Sequence, residues 1–204
     1  QWDSGPVQHE TSDGTRVHRE VVSFVRRSAR MNPSQQKAWE RWAPSHVVEI
    51  DRRDTSTSVA DQPVPDWAAI FGRDAPLIVE IGSGTGDSLV PMAADHPQAN
   101  VIAFEVFEPA VASTLSKMGR SGVTNLRMVI ADGVQGLDIL LEPASVTELW
   151  THFPDPWHKK RHHKRRLITP EMADLVASRL VPGGHWRLAT DWLEYAEWMR
   201  QTLE

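Results

Sequence analysis

Cysteine is absent from this chain of 204 residues, and its absence excludes several classes of chemistry at once. Disulfides, thiolate metal sites, cysteine nucleophiles and iron–sulfur clusters all require that residue. The chain also lacks the roughly 18 to 20 consecutive apolar residues that a bilayer span needs, and its N-terminus has no basic-then-apolar signal pattern. We therefore expect a cytoplasmic protein that makes no contact with a membrane.

Basic charge is scarce overall but strongly clustered. The chain has 22 Lys and Arg against 27 Asp and Glu, a net charge of −5. Residues 158–166 read HKKRHHKRR and hold six of the 22 cations without an acid, which leaves 16 basic against 27 acidic residues elsewhere. A second cluster precedes residue 31 and comprises Arg16, Arg19, Arg26, Arg27 and Arg30. An acidic body with two basic patches indicates localised contact with an anion.

The first part of the chain differs in character from the rest. The first thirty residues are polar and lack clean periodicity, which predicts an extended arm. Asn32 followed by Pro33 predicts the start of a short helix that ends near Pro44. Residues 51–66 are rich in Asp, Ser, Thr and Pro, a composition that predicts a surface loop. We divide the chain into an N-terminal basic arm with its helix (1–45) and a second domain (46–204).

From Pro76 onward, short apolar runs alternate with helical patterns. We predict helices over about 87–94, 109–118, 134–141 and 170–181, and a last helix whose capping box pairs Asp191 with Glu194. The predicted strands are 77–81, 101–105, 126–130, 147–153 and 185–189. This alternation predicts an α/β fold with a doubly wound, mostly parallel sheet that binds ligands at the carboxyl ends of its strands.

A glycine-rich turn follows the first predicted strand. Residues 80–86 read EIGSGTG, which places Gly82, Gly84 and Gly86 at alternate positions behind Glu80. The spacing is neither the Gly-x-Gly-x-x-Gly of dinucleotide binders nor a phosphate-binding P-loop. A carboxylate at position 80 repels a pyrophosphate but pairs with an ammonium, such as the one at the methionine end of S-adenosylmethionine.

Two further acids end the next strands. Glu105 closes the second predicted strand, where a carboxylate can accept both hydroxyls of a ribose. Asp132 ends the third and can accept from an adenine amino group in the same crevice. Acids at three successive strand ends beside a glycine turn together favour a nucleoside ligand carrying an ammonium.

The fourth predicted strand runs into Phe-Pro-Asp-Pro-Trp at residues 153–157. Two prolines hold the Asp155 carboxylate rigidly at the mouth of the crevice, and Trp157 is placed to stack on a base. The basic segment (residues 158–166) follows at once, which favours a grip on a phosphate backbone. Four histidines also lie here, but their spacing lacks the companion carboxylates of a metal helix, so we expect no metal.

These motifs together resemble the bacterial tRNA (guanine-N7)-methyltransferase family, over about residue 22 to the C-terminus. The family comprises class I S-adenosylmethionine-dependent enzymes with a Rossmann-like fold that methylate guanine 46 of the tRNA variable loop. The motifs that carry the resemblance are SFVRRxxR at 23–30, the glycine turn, FEV at 104–106, Asp132, FPDPWHKKRHxKRR at 153–166 and ATD at 189–191. The run from residue 153 is close to diagnostic.

The resemblance implies roles for individual residues. Glu80, Glu105 and Asp132, with the glycine turn, are expected to bind S-adenosylmethionine, leaving S-adenosylhomocysteine as product, and Asp155 is expected to be catalytic. Lys159 and Asp191 are expected to contact the tRNA substrate. The remaining cations expected to contact tRNA are Arg26, Arg27, Arg30, Arg161, Lys164, Arg165 and Arg166. We expect a monomer or homodimer.

One departure from the family pattern concerns the C-terminus. The family's sheet continues through two further strands, with a substrate-binding Thr-x-x-Glu motif between them, whereas this sequence ends at Glu204. We therefore expect the methyltransferase domain to be C-terminally incomplete in this chain.

Other functions remain open at the level of sequence. One is a class I methyltransferase acting on another RNA or on another nitrogen acceptor. Another is a non-catalytic tRNA-binding subunit, which the intact acidic residues disfavour. A nicotinamide-dependent oxidoreductase is disfavoured by the glycine spacing and by Glu80.

Overall fold

The five predicted apolar runs all form strands in the computed structural model, which describes residues 30–204. The predicted arm, with Arg26 and Arg27, lies outside the described residues. The strands are β1 (Leu77–Ile81), β2 (Asn100–Glu105), β3 (Leu126–Ile130), β4 (Val146–His152) and β5 (Leu180–Ala189). The helices are α1 (Pro33–His46), α2 (Trp67–Phe71), α3 (Leu89–Asp95), α4 (Glu108–Ser121), α5 (Gly133–Ile139), α6 (Pro170–Arg179) and α7 (Leu193–Leu203), with a 3₁₀ helix at Lys160–Arg165.

The strands form one parallel sheet in the order β3-β2-β1-β4-β5. The chain therefore winds outward from β1 to β3 and then crosses back to place β4 on the other side of β1. The prediction of a doubly wound parallel sheet is confirmed. In such sheets the crevice at the point of reversal, here between the carboxyl ends of β1 and β4, is where ligands bind.

Helices cover both faces of this sheet because its central strands are apolar on both sides. On β1, Ile78 packs in the cluster that α3 and α4 cover, whereas Val79 and Ile81 pack in the cluster that α5 and α6 cover. A third, smaller cluster joins α7 to Ile168. Within residues 30–204, no helix combines the length and the apolar character needed to span a bilayer.

Helix α1 begins where the sequence predicts. The Asn32 side chain accepts from the Gln35 backbone N–H, and the Gln35 side chain accepts from the Asn32 N–H, which completes a capping box. The helix continues past the predicted end near Pro44 to His46, so that Pro44 lies within its last turn. It packs on α4, where a Cβ added to Gly119 would lie 2.5 Å from Trp42 Nε1.

The segment predicted as a surface loop contributes to the core. Val59 is buried, and its N–H donates to Gln135 Oε1 at 2.9 Å. Asp66 then caps α2, a helix that was not predicted, and Trp67 in it is buried. A helix of five residues is too short for an apolar periodicity to show in the sequence.

Two predictions near the C-terminus were wrong. Strand β5 begins at Leu180 and not at His185, because Leu180 already pairs with Val146. His185 pairs with Glu148, so the four residues between Leu180 and His185 form a bulge opposite Thr147. The Asp191–Glu194 capping box does not form, since Trp192 occupies the N-cap of α7 without a side-chain cap. The Glu194 carboxylate is engaged by Arg166 instead.

Candidate functional site

Glu80 and His152 meet at the reversal point of the sheet. Glu80 is the last residue but one of β1, with only 2% of its surface exposed, and His152 ends the neighbouring strand β4. The two side chains are linked through Glu80 Oε1 and His152 Nδ1 at 3.0 Å. A carboxylate can only accept, so Nδ1 carries the proton when Glu80 is ionised. The sequence drew attention to His152 only as one of the four histidines considered and rejected as metal ligands. Its contact with Glu80 was not predicted, because nothing in the sequence reveals that β1 and β4 are neighbours.

The second oxygen of Glu80 has no protein partner. Glu80 Oε2 is buried and finds no hydrogen-bond donor among residues 30–204. A buried carboxylate oxygen without a donor is costly. The site therefore suits a ligand that brings a cation or an N–H group to this point.

The glycine turn bends the chain sharply between β1 and α3. Gly82, Gly84 and Gly86 all have positive φ, at 78°, 55° and 77°. A Cβ added to Gly86 would lie 2.5 Å from Thr114 Oγ1, whereas one added to Gly82 or Gly84 would meet nothing within 4 Å. Gly86 thus serves close packing against α4, and the space beside the other two glycines is open to a ligand.

Backbone N–H groups hold Glu105 in place. Its Oε2 accepts from the Gly84 N–H at 2.7 Å, and its Oε1 accepts from the N–H groups of Val106 and Phe107 at 2.8 and 2.9 Å. The side chain is largely buried. Glu105 therefore ties the glycine turn to the segment that leads into α4.

Asp132 is held in a similar way. It is the N-cap of α5, and its Oδ1 accepts from the N–H groups of Val134 and Gln135 at 3.0 Å each. The residue is largely buried. Glu80, Glu105 and Asp132 accordingly line the carboxyl ends of β1, β2 and β3 as the sequence predicts.

Asp155 lies in a strained loop just beyond β4. The aromatic residues on either side, Phe153 and Trp157, have left-handed backbone conformations with φ of 50° and 46°. Such conformations cost about 1–3 kcal/mol each for residues other than glycine. Asp155 is exposed, and within residues 30–204 its carboxylate makes no hydrogen bond or ion pair. The loop backbone is thus strained, and the Asp155 carboxylate that it carries is exposed to solvent without a protein partner among the described residues.

The basic segment continues from this loop as a 3₁₀ helix. Lys159, Arg161 and Lys164 are exposed along it. Arg165 is partly buried and lies over the Trp157 ring, with its guanidinium carbon 5.1 Å from the ring centroid. Partial burial and the surrounding cations, Arg165 foremost among them, lower the pKa of His162 below its ordinary value.

Arg166 departs from the prediction made for it. The residue is only 1% exposed, and its Nε donates to the Pro156 carbonyl at 2.9 Å. Its Nη2 donates to Glu194 Oε1 at 3.0 Å, and this bond lowers the pKa of Glu194. The guanidinium also lies 5.0 Å from the ring centroids of Tyr195 and Trp198. Arg166 is therefore an internal bridge, and its charge is not presented to a substrate at the surface.

The loop after β5 lies next to the basic segment. The rings of His158 and Trp192 meet edge to face with their centroids 4.1 Å apart. Asp191, which precedes this tryptophan, is exposed. The contact brings the loops carrying Asp155 and Asp191 to the same edge of the sheet.

Arg30 precedes α1 at the start of the described residues. It lines a cavity of about 720 Å³ at the N-terminal ends of α1 and α4. Met31, Gln36, Trp39 and Glu108 share the lining. Across residues 30–204, no group of three or more His, Asp or Glu side chains is arranged to hold a metal ion.

Comparisons with known proteins agree with this arrangement. Residues 74–204 match a family described as "Putative methyltransferase". The chain is 56% identical over 190 residues to a tRNA (guanine-N(7)-)-methyltransferase of Cutibacterium acnes, an alignment that covers 93% of this chain and 69% of the relative. It is 48% identical over 204 residues to the protein of the same name from a Nocardioides species, covering 98% of this chain and 77% of the relative.

A solved structure supports the fold. An antibiotic-related methyltransferase superposes with a TM-score of 0.51 and 14% sequence identity, over 72% of this chain and 75% of the other. Identity at this level shows the fold alone. The expected Rossmann-like methyltransferase fold is confirmed.

Proposed function

The chain belongs to the tRNA (guanine-N7)-methyltransferase family, and on that premise we propose that it methylates N7 of guanine 46 in the variable loop of tRNA, with S-adenosylmethionine as donor. The proposal is carried by two acidic residues near the carboxyl ends of neighbouring strands, one buried and the other exposed. Glu80, at the end of β1, is buried with one oxygen left without a donor. Asp155, just beyond β4, is exposed beside the basic segment.

The carboxyl ends of β1, β2 and β3 fit the methyl donor. Glu80 Oε2 would receive the ammonium, and the open side of the turn at Gly82 and Gly84 leaves room for the donor to approach the backbone. Glu105 and Asp132 would accept from the ribose hydroxyls and the adenine amino group. The bound donor supplies an electrophilic methyl on a sulfonium, and S-adenosylhomocysteine leaves as product.

The transfer itself requires no general base. Guanine N7 carries an in-plane lone pair and no proton, so its lone pair forms the N–C bond while the S–C electron pair returns to sulfur. Positive charge thereby moves onto the guanine. Asp155 would accept from guanine N1–H and the exocyclic amino group and stabilise that charge, so geometry and electrostatics dominate the rate.

The surroundings of Asp155 fit a polyanionic substrate. Lys159, Arg161 and Lys164 would contact phosphates, and Asp191 would contact the substrate from the neighbouring loop. Arg165, stacked on Trp157, presents its charge from a more rigid position. Arg26, Arg27 and Arg30 would extend the same grip on the N-terminal side.

The decisive test is transfer of labelled methyl from S-adenosylmethionine to unmodified tRNA, followed by nucleoside analysis. We expect 7-methylguanosine, and a matched transcript with adenosine at position 46 should accept no label. Methyl transfer to another nucleoside or to another position would contradict the assignment of the acceptor. Binding of donor and tRNA without transfer would favour a non-catalytic subunit.

A further inference from the structure

The strained loop at residues 153–157 is held to the rest of the protein at both ends. At its start, the Phe153 N–H donates to the Ala189 carbonyl of β5 at 2.8 Å. At its end, the Pro156 carbonyl accepts from Arg166 Nε at 2.9 Å. Left-handed conformations at Phe153 and Trp157 persist only when surrounding contacts impose them. Asp155 lies between these two points of attachment.

The second attachment is anchored in turn by α7. Arg166 Nη2 donates to Glu194 Oε1 at 3.0 Å, and the guanidinium carbon lies 5.0 Å from the ring centroids of both Tyr195 and Trp198. The adjoining backbone is joined to the same helix, because Trp198 Nε1 donates to the Ile168 carbonyl at 2.7 Å. Arg166 thus connects a packed helix to the carbonyl one residue after Asp155.

We propose that Arg166 is a positioning residue, which sets the location of the Asp155 carboxylate by holding the Pro156 carbonyl from α7. The inference rests on the proposed function, since it concerns the residue expected to meet the guanine. It assigns Arg166 a role distinct from phosphate contact, which its burial precludes. Loss of this bridge should let the strained loop relax and displace Asp155.

Arginine suits this role better than lysine would. The two bonds leave different nitrogens of one planar group, Nε toward Pro156 and Nη2 toward Glu194, while the flat faces pack on aromatic rings. A lysine ammonium at the same place keeps the charge but lacks the fork. The lysine variant therefore separates the geometry of the bridge from its charge.

The experiment compares Arg166→Lys and Glu194→Gln with the control Arg179→Lys. Arg179 makes a comparable bridge, donating to the carbonyls of Leu137 and Asp138 in α5, at the opposite edge of the sheet. For Arg166→Lys we expect kcat for methyl transfer to tRNA to fall about 10- to 100-fold, the size of effect that a displacement of about 1 Å produces. Affinity for S-adenosylmethionine and the salt dependence of tRNA binding should match the wild type. Glu194→Gln should lower kcat by a smaller factor in the same direction.

Several results would overturn the proposal. A weaker salt dependence of tRNA binding in the uncharged variant Arg166→Gln than in the matched control Arg179→Gln would make Arg166 a phosphate contact. A kcat equal to that of Arg179→Lys, or a parallel loss of donor affinity, would reduce Arg166 to a general structural role. If Arg166→Lys does not fold, Glu194→Gln decides, because Glu194 is half exposed and its amide keeps the shape of the side chain.

Amide hydrogen exchange provides a readout independent of turnover. Faster exchange confined to residues 153–166 is expected in Arg166→Lys and not in Arg179→Lys. Unchanged exchange in that segment would contradict the bridge even if the wild-type protein methylated no tRNA. A wild type without transfer but with the expected exchange pattern would contradict the proposed function and leave the bridge standing.

Discussion

The acidic residues on the two sides of the reversal point differ in whether the protein itself provides their hydrogen-bond partners. On the β1–β3 side, Glu105 accepts three backbone N–H groups and Asp132 accepts two, and both are largely buried. Beyond β4 and β5, Asp155 and Asp191 are exposed and form no hydrogen bond or ion pair within residues 30–204. On the first side, backbone N–H groups orient the carboxylates. On the second side, the carboxylates are available to hydrogen-bond donors of a bound molecule.

Under the proposed function, this contrast explains how one sheet edge can bind two substrates of different size. A small donor is bound by a pre-organised pocket, because each group that is already oriented costs less to engage. A large polyanion is met by an exposed surface of charged side chains. Mutations on the two sides should therefore alter different measurable quantities.

The largest expected effect is that of Asp155→Asn. Removing the charge that stabilises the methylated guanine should lower kcat by about 10²- to 10³-fold, as for the loss of one transition-state contact. Affinity for S-adenosylmethionine, measured by calorimetry, should stay within about twofold of the wild type. Asp174→Asn on the exposed side of α6 is the matched control. Normal turnover would remove Asp155 from the mechanism.

Glu80→Gln should produce the opposite pattern. The substitution keeps the shape and a hydrogen bond to His152 but removes the charge that receives the ammonium. We expect S-adenosylmethionine to bind about 10- to 100-fold more weakly, which corresponds to about 1.5–3 kcal/mol for a hydrogen bond to a charged group. Affinity for tRNA in the absence of donor should not change. Donor affinity equal to that of the control Glu148→Gln would place the ammonium elsewhere.

Removing Lys159, Arg161 and Lys164 together should affect tRNA alone. Each phosphate contact contributes about 0.7 to 0.9 to the slope of log affinity against log salt, so the slope should fall by about 2 to 3 in the triple alanine variant. Donor affinity should be unaltered. A control that removes Lys37, Arg41 and Arg120, exposed on α1 and α4, makes the same change in net charge. Equal slopes in the two variants would show that only total charge matters.

The smallest expected effect concerns stability and lies away from both substrates. The Arg187 guanidinium, with help from Trp150, lowers the pKa of Glu148 to about 2. A carboxylate whose pKa is lowered by folding stabilises the fold at pH values above 4.5, its ordinary pKa. That stabilisation is lost as the pH falls toward 2. Glu148→Gln should therefore cost about 1 kcal/mol at pH 6, since Arg187 is largely exposed. Denaturant titrations should show the difference shrinking by pH 3, and a constant difference would contradict the assignment.

Much of the fold could be read from local patterns. Runs such as 77–81 and 126–130 are apolar because strands of a parallel sheet are covered on both faces, so their bounds match the structure. The cap at Asn32 is equally local, since its hydrogen bonds join residues three apart. Glu80, Glu105 and Asp132 were predicted to share a site because the ends of consecutive parallel strands lie at one edge of the sheet.

The predictions that failed depended on contacts between distant segments. Glu194 looked like a capping residue from its spacing to Asp191, but a buried arginine 28 positions away engages it instead. Arg166 looked like another surface cation at the end of the basic segment, and only the packing of α7 shows that it is internal. The bulge in β5 contains Pro182 and Gly183, which end a helix in the sequence-based prediction, and only the register with β4 shows that they lie within a strand.

The sequence by itself determined the parallel α/β fold, the glycine turn with its three acids, and the exposed carboxylate beside a basic segment, because periodicity, turn chemistry and strand-end acids are encoded within short stretches of chain. The tertiary structure alone decided that His152 meets Glu80 and that Arg166 supports the Asp155 loop. Those pairings join segments that approach one another only when β4 lies beside β1 and α7 packs against the chain after the basic segment. No local pattern specifies either approach.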